Sequence, residues 1–368
     1  VKIVVDNLAP PANYFPHVLR TPKETPLILH YDLPYQDFSF TILDQPHLGV
    51  INYFPGFTTQ TYNGQSISGN NLLVFTPFPD SLGETDFPLL FCGPNGECVT
   101  TKIRLNIVEI TATDPPFCLA ECAWPGDANA DGIANNKDLL TYGYYMGFDG
   151  INRVNGSADW YGQYSDNWND LFTGLTHDLK HLDADGNGSL NESDINTLHA
   201  NYNEAHNLLP KTVVTDKGLP FFLELLTPNP GPGEPIRIQV SLGSENIPAI
   251  DIYGFTFDMS LSPGVVDSAF KMTFYDNSWL NLNSPSITLA ERPAVGRFET
   301  AFSRTNGQPA SGYGPVGVVE IIIVEIIVGG PQNNRTELTL NPTITLADGS
   351  TSTGAPITLE IPIETKER

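Results

Sequence analysis

The 368-residue chain is predicted to be mainly β, with two β-sandwich domains flanking a small helical module that carries two metal-binding loops. Three observations lead there. Only 16% of the residues are charged, and 32 Gly and 31 Pro cut the chain into short runs, a texture of strands and turns that excludes helical bundles and coiled coils. The 40% apolar content can bury sizeable cores, and the length suits two or three domains. Acid is concentrated in the middle, where residues 121–210 hold 14 acidic and 3 basic side chains and three of the four tryptophans.

The first domain is expected over residues 1–112. Val1-Lys2-Ile3-Val4-Val5, Leu27 to Leu29, Phe38 to Leu43 and Leu72 to Phe75 are β-favouring runs between Pro- and Gly-rich breaks. Phe87 to Cys92, the turn Gly93-Pro94-Asn95-Gly96 and Cys98 to Ile110 read as a hairpin, with Ile103, Leu105 and Ile107 on one face of its second strand. A sandwich of about seven strands follows. Cys92 brackets that turn with Cys98, and Cys118 brackets Leu-Ala-Glu with Cys122. Short spacing and an even count read as two local disulfides in an oxidising compartment. The alternative is a four-cysteine metal site, against which the pairs lie far apart and neither has two-residue spacing. The cysteine-flanked hairpin resembles the Ig-like or cadherin-like repeats of large secreted bacterial proteins. The run Val1 to Val5 is a possible assembly strand, able to pair with its own sheet or with a neighbour's open edge.

Residues 113–211 follow the linker Asp114-Pro115-Pro116 and are the one helical stretch, with helices expected over Lys137 to Tyr145 and Ser193 to Asn203. Two loops repeat a pattern. The first offers Asp127, Asn129, Asp131, Ile133, Asn135 and Asp138, and the second Asp183, Asp185, Asn187, Ser189, Asn191 and Asp194. Positions 1, 3, 5, 9 and 12 carry side-chain oxygens, position 6 is Gly132 or Gly188, and position 7 supplies a backbone carbonyl. A hard cation wants six to eight oxygens at about 2.3–2.6 Å, and alternating residues of a tight loop can all turn inward, so two Ca2+ sites are expected.

Asp rather than Glu at position 12 departs from the EF-hand consensus and resembles the dockerin calcium repeat, as do the helices beginning Asp138-Leu139-Leu140 and Asp194-Ile195. The loops start 56 residues apart, far more than in that family. The insert, Gly147 to Asp178, carries Trp160, Tyr161, Tyr164 and Trp168, which read as an irregular packed cap and also raise a glycan as partner. In dockerins the positions just before the last ligand often contact a cohesin. Those positions are Asn136 and Lys137 in the first repeat and Glu192 and Ser193 in the second, unlike each other and unlike the usual small hydroxyl residues.

Residues 212–368 return to strand texture, with the clearest runs at Pro235 to Leu242, Ile252 to Met259, Val316 to Val328 and Glu337 to Leu346, in a sandwich of roughly nine strands. Ile252 to Val266, with its Gly-Phe strand and Pro263-Gly264 turn, and Gly317 to Ile322 resemble cohesin sandwiches, although Ser262 replaces an Asp. In Val316 to Val328, Val319, Ile321 and Ile323 face one way and Ile322, Val324 and Ile326 the other, which reads as a central strand.

No nucleophile elbow, zincin motif or phosphate loop is present; a zinc site could be drawn from His177, His181, His199 and His206, but that stretch leads into the second loop and reads as structural, so no enzyme is expected. A net charge of −24 argues against nucleic acid or an anionic membrane as partner, and no run is long and apolar enough to span a bilayer. The abrupt ends at Val1 and Arg368 fit removal of a signal peptide or anchoring tail. Together the segments resemble multidomain surface proteins of bacteria that use type IX secretion. That resemblance implies a secreted, cell-surface structural or adhesion protein, partnered by itself in head-to-tail fibres or by another surface protein. The alternative is a glycan- or protein-binding module of a larger chain, monomeric through an internal dockerin–cohesin-like clasp.

Overall fold

The computed structural model describes residues 17–29, 39–62, 64–92, 96, 98–110, 118–168, 177–206, 221–228, 230–231, 233–263, 265–282, 284–326, 335–347, 349 and 351–362. The run Val1 to Val5 lies outside them. The chain divides into two compact units. One comprises residues 1–135, 149–170 and 178–212, and the other residues 136–148, 171–177 and 213–368.

The first unit holds seven strands among its described residues: β1 (Val18–Pro22), β2 (Leu27–Leu29), β3 (Ser39–Ile42), β4 (Gly49–Tyr62), β5 (Gln65–Pro77), β6 (Gly83–Cys92) and β7 (Cys98–Val108). One sheet runs β1-β7-β6-β3 and the other β2-β5-β4. Their inner faces share a core of Leu19, Leu29, Phe40, Ile51, Phe75, Phe87, Phe91 and the expected Ile103, Leu105 and Ile107. Such alternation buries one face and leaves Lys102 and Arg104 outside, which fixes the register of β7. Cys92 pairs with Cys98 across the end of the β6–β7 hairpin, and both expected disulfides, Cys92–Cys98 and Cys118–Cys122, are present. The long β4–β5 hairpin was hidden in the sequence by Pro55-Gly56. A bulge between Phe54 and Phe57, with Gly56 at φ +69°, absorbs the break and the pairing continues to Tyr62–Gln65.

The second unit has eleven strands among its described residues, two more than expected, because Ala310–Gly312 and Thr351–Thr353 are three-residue strands too short to read in sequence. In chain order they are β8 (Phe221–Leu225), β9 (Pro235–Leu242), β10 (Ala249–Leu261), β11 (Val265–Phe274), β12 (Ser286–Ala294), β13 (Arg297–Arg304), β14 (Ala310–Gly312), β15 (Gly314–Ile326), β16 (Arg335–Leu346), β17 (Thr351–Thr353) and β18 (Ile357–Pro362). One sheet runs β12-β13-β10-β16-β17, with β14 on β10 and β18 on β16; the other runs β11-β15-β9-β8. Ile238, Val240, Phe255, Phe257, Phe298, Val319, Ile321 and Leu340 form the core between them. β15 is the central strand expected, with Val319, Ile321 and Ile323 buried on the core side, while Val324 on the other side is exposed.

Helix α1 (Asn136–Tyr145) belongs to this second unit and lies on the sheet formed by β13, β10, β12 and β16. Residues paired across strands share a face, so Gly254, Thr256, Ala301, Ser303, Thr343 and Thr345 form the face opposite Phe255 and Phe302. Small side chains there let a helix approach closely. Asn136 donates from Nδ2 to Asp258 Oδ1 at 2.8 Å, and the Tyr144 ring lies 4.6 Å from that of Tyr253. At Gly143 an added Cβ would stand 1.9 Å from Ser303 Oγ.

Candidate metal centre

Helix α2 (Glu192–Ala200), in the first unit, shows why the metal pattern and the helix start coincide. Asn191 is its N-cap, and its side-chain oxygen accepts the Ser193 N–H at 2.8 Å. Asp194, three residues on, returns the favour by accepting the Asn191 N–H on Oδ2 at 2.9 Å. This is a capping box, so loop positions 9 and 12 are also helix positions N-cap and N3. The helix stops at Ala200 rather than Asn203, because Asn203 stands at φ +68° and its N–H turns away to Ala134 O at 2.7 Å; the Asn201 side chain, at the cap, donates to Pro125 O and Ala158 O at 2.9 and 2.7 Å.

The second loop draws its carboxylates together. Ligand-capable oxygens of Asp183, Asp185 and Asp194 lie within 4.8 Å of one another, and no other such trio of acidic, His or Cys groups occurs among the described residues. Two oxygens at about 2.3–2.6 Å from one ion can stand no more than about 5 Å apart, so the trio has the span of a calcium cage. Asp183 is fully buried; its Oδ2 accepts the Gly188 N–H at 3.2 Å, while Oδ1 has no partner among the described residues. A buried carboxylate oxygen left bare is costly unless something cationic meets it. Burial pushes Asp194 up to about 7, helped by repulsion from Asp185 and Asp183 and opposed by backbone hydrogen bonds. Asp183 is raised too, chiefly by burial, with Arg153 pulling the other way. Asn187 accepts the Ser189 N–H on its side-chain oxygen at 2.8 Å, closing the turn that Gly188 makes at φ +82°. The residues present therefore fit a calcium ion: Asp183, Asp185, Asn187 and Asp194 would hold it by side chain, Ser189 by its carbonyl and Asn191 from position 9.

The first loop has the same number of carboxylates, with Asn and Asp exchanged at positions 3 and 5, and different neighbours. Asp127 is buried, and its Oδ1 accepts the Asp131 N–H at 3.0 Å. Its Oδ2 accepts the Gly132 N–H at 3.1 Å and faces His206 Nε2 at 2.7 Å. The Asn129 oxygen accepts the Asp131 N–H at 2.8 Å, and Asp131 accepts the Ile133 N–H at 3.2 Å. Asn135 and Asp138 occupy the positions that Asn191 and Asp194 hold in the second repeat, and Asp138 is buried in the first turn of α1.

Sequence reasoning missed the roles of three residues. His206 sits on Asp127 and stacks on Trp124, ring centroids 4.3 Å apart and planes 8° from parallel. Arg153, buried, donates from Nη1 to Asp183 O at 2.5 Å and from Nη2 to Ala184 O at 2.9 Å. Asn136, noted only as an unusual residue for its position, anchors α1 on the sandwich. No short-range pattern joins any of them to its partner. The insert aromatics pack inward, since Trp160, Tyr161 and Trp168 are buried and only Tyr164 is exposed. Trp160 donates to Ala205 O at 3.4 Å and Trp168 to Ile151 O at 3.0 Å.

No protein-family model matches the chain, and no curated protein matches it. Among solved structures it is similar to a cohesin module from a family 33 glycoside hydrolase of Clostridium perfringens, at 9% identity and a TM-score of 0.30, covering 40% of this chain and 96% of that one. It is also similar to a chain of a type I cohesin–dockerin complex from Clostridium thermocellum, at 11% identity and a TM-score of 0.30, covering 42% and 99%. A third likeness is to the collagen-binding subdomain of the Enterococcus faecalis surface protein ACE, at 12% identity and a TM-score of 0.26, covering 41% and 100%. No helix among the described residues is long and apolar enough to cross a membrane.

Proposed function

We propose that this is a non-enzymatic, extracellular structural or adhesion protein in which calcium rigidifies the two loops and the C-terminal sandwich clasps the helix of the first repeat. The observation that carries the calcium reading is the convergence of Asp183, Asp185 and Asp194 around a buried oxygen with no partner. Two buried carboxylates beside a half-buried third are unfavourable alone and become favourable around a divalent cation. Two disulfides support an oxidising compartment, hence secretion or the cell surface.

The seat of α1 favours the clasped monomer over head-to-tail fibres. Asn136, Gly143 and Tyr144 all meet the sandwich within one compact unit, so the sheet face that a second chain's helix would need is already covered. Fibre growth through that face would require α1 to leave it. Two experiments test the reading together. Light scattering on a sizing column should give a mass near 40.2 kDa at every protein concentration, with calcium or with chelator. Thermal unfolding should shift down on chelation, since a ligand bound only by the native state stabilises by about 2.7 kcal/mol at a hundredfold excess over its Kd. Growth with concentration would overturn the monomer in favour of fibres, and an unchanged melting curve would overturn the role of calcium.

A further inference from the structure

The two loops carry the same formal charge, three carboxylates each, so charge count gives no reason for them to bind calcium differently. Their backbone settings also match. The position-6 carbonyl of the first loop, Gly132 O, accepts the His206 N–H at 2.9 Å, and that of the second, Gly188 O, accepts the Gly150 N–H at 2.8 Å. Position 7 makes a β-bridge in each case, Ile133 with Ala205 and Ser189 with Asp149. Each loop is thus braced by a segment of the same kind, residues 203–206 for the first and 149–156 for the second.

What differs is where each brace puts its basic group. In the first, His206 Nε2 sits directly on the position-1 ligand, 2.7 Å from Asp127 Oδ2, and is held there by its stack on Trp124. In the second, Arg153 reaches the outside of the loop, onto the carbonyls of Asp183 and Ala184, while its backbone N–H binds Gly186 O at 2.9 Å. The position-1 ligand there keeps Asp183 Oδ1 open. Gly156 lies so close to Gly186 that a Cβ on Gly186 would stand 2.6 Å from the Gly156 Cα, so the brace fits tightly against the turn. One position-1 carboxylate keeps an oxygen open; the other has both oxygens hydrogen-bonded, Oδ1 to the Asp131 N–H and Oδ2 to the Gly132 N–H and His206.

We infer that the two calcium sites are non-equivalent and fill in order: the second loop, whose position-1 carboxylate keeps an oxygen open, is the preorganised, tighter site, and the first binds calcium only at the cost of the hydrogen bonds that engage both oxygens of Asp127, His206 among their donors. This rests on the calcium reading above. The guanidinium of Arg153 opposes a cation in the second loop, but from the backbone side, and it offsets the mutual repulsion of the three carboxylates. His206 instead binds the position-1 carboxylate directly, which is the stronger effect. A charge-assisted hydrogen bond that must be given up weakens the first site by about tenfold or more relative to the second.

Calorimetric titration of the chelator-treated full chain with calcium tests this. Two binding events are expected, separated by about tenfold or more in Kd. Asp194→Asn should remove the tight event, and Asp131→Asn the weak one. His206→Phe keeps a ring against Trp124 and removes the bond to Asp127, and should bring the weak Kd about tenfold towards the tight one without moving the latter. In the wild type the tryptophan emission should change with the weak event, because His206 leaves or shifts on Trp124; this readout needs no variant to fold. Two equal events, a weak event lost in Asp194→Asn, or a His206→Phe titration identical to wild type would overturn the inference and leave calcium binding standing. Absence of both binding heat and a melting shift would instead sink the calcium reading itself.

Discussion

Replacing Gly143 by Ala gives opposite signs according to whether α1 is seated on the sandwich. In an exposed helix the change stabilises, since Gly costs about 0.8–1.0 kcal/mol relative to Ala in a helix interior. In the seated helix the new methyl would stand 1.9 Å from Ser303 Oγ, 2.3 Å from Ser303 Cβ and 3.1 Å from Arg304 O. Rotating the hydroxyl relieves only the first contact. The Cβ and the carbonyl belong to the frame of β13, so α1 itself must lift. Overpacking of this kind costs about 1–3 kcal/mol, and the overlap here places it at the upper end, which leaves a net loss of about 2 kcal/mol after the helix gain. For a unit of this size that lowers Tm by about 4–8 °C, against a rise of about 2–4 °C for an unseated helix. Scanning calorimetry of the full chain distinguishes them. The double variant Gly143→Ala with Ser303→Gly removes both side-chain atoms in the way and should recover about 2 kcal/mol beyond the sum of the single changes. A Gly143→Ala protein that melts higher than wild type, or a cycle with no coupling, would refute the seat.

Two further changes probe neighbouring links. Asn136→Asp replaces the amide that donates to Asp258 Oδ1 with a second carboxylate, and should destabilise by about 2–4 kcal/mol where Asn136→Ala costs about 1–3, as read by denaturant unfolding. Phe255→Ala removes the ring that stands 5.6–6.0 Å from those of Phe221, Phe257, Phe274 and Phe302, and should cost about 3–5 kcal/mol in the same assay; a loss under 1 kcal/mol would mean that this core is not packed as described.

Local chemistry was legible where it closes within a few residues. The β6–β7 hairpin shows itself by two cysteines around a turn, and β7 by the alternation of Ile103, Leu105 and Ile107. The repeated loops show as a pattern because oxygen-bearing side chains alternate around a glycine in each, and the helix start after the second shows in Asn191 and Asp194, which form a capping box. The second half of β4 was not legible, since Pro55 and Gly56 end a strand by every local rule. Only the partner strand β5, bonded through the bulge, carries it on to Tyr62. The two short strands β14 and β17 exist by pairing with β10 and β16 and have no pattern of their own.

The central module shows the same limit at the level of function. Its two loops are near copies, and by local reasoning they are two copies of one site. What separates them lies outside the repeat: His206 is 79 residues from the carboxylate it meets, and Arg153 is 30 from the carbonyl it holds. Each loop is bridged by the segment that leaves the other repeat's helix: residues 203–206 pair with the first loop, and residues 149–156 pass across Gly186 and Gly188 of the second. Arg153 lies in the insert that makes the 56-residue spacing, and His206 in the segment after the second helix, so each basic side chain reaches its loop from outside the repeated pattern.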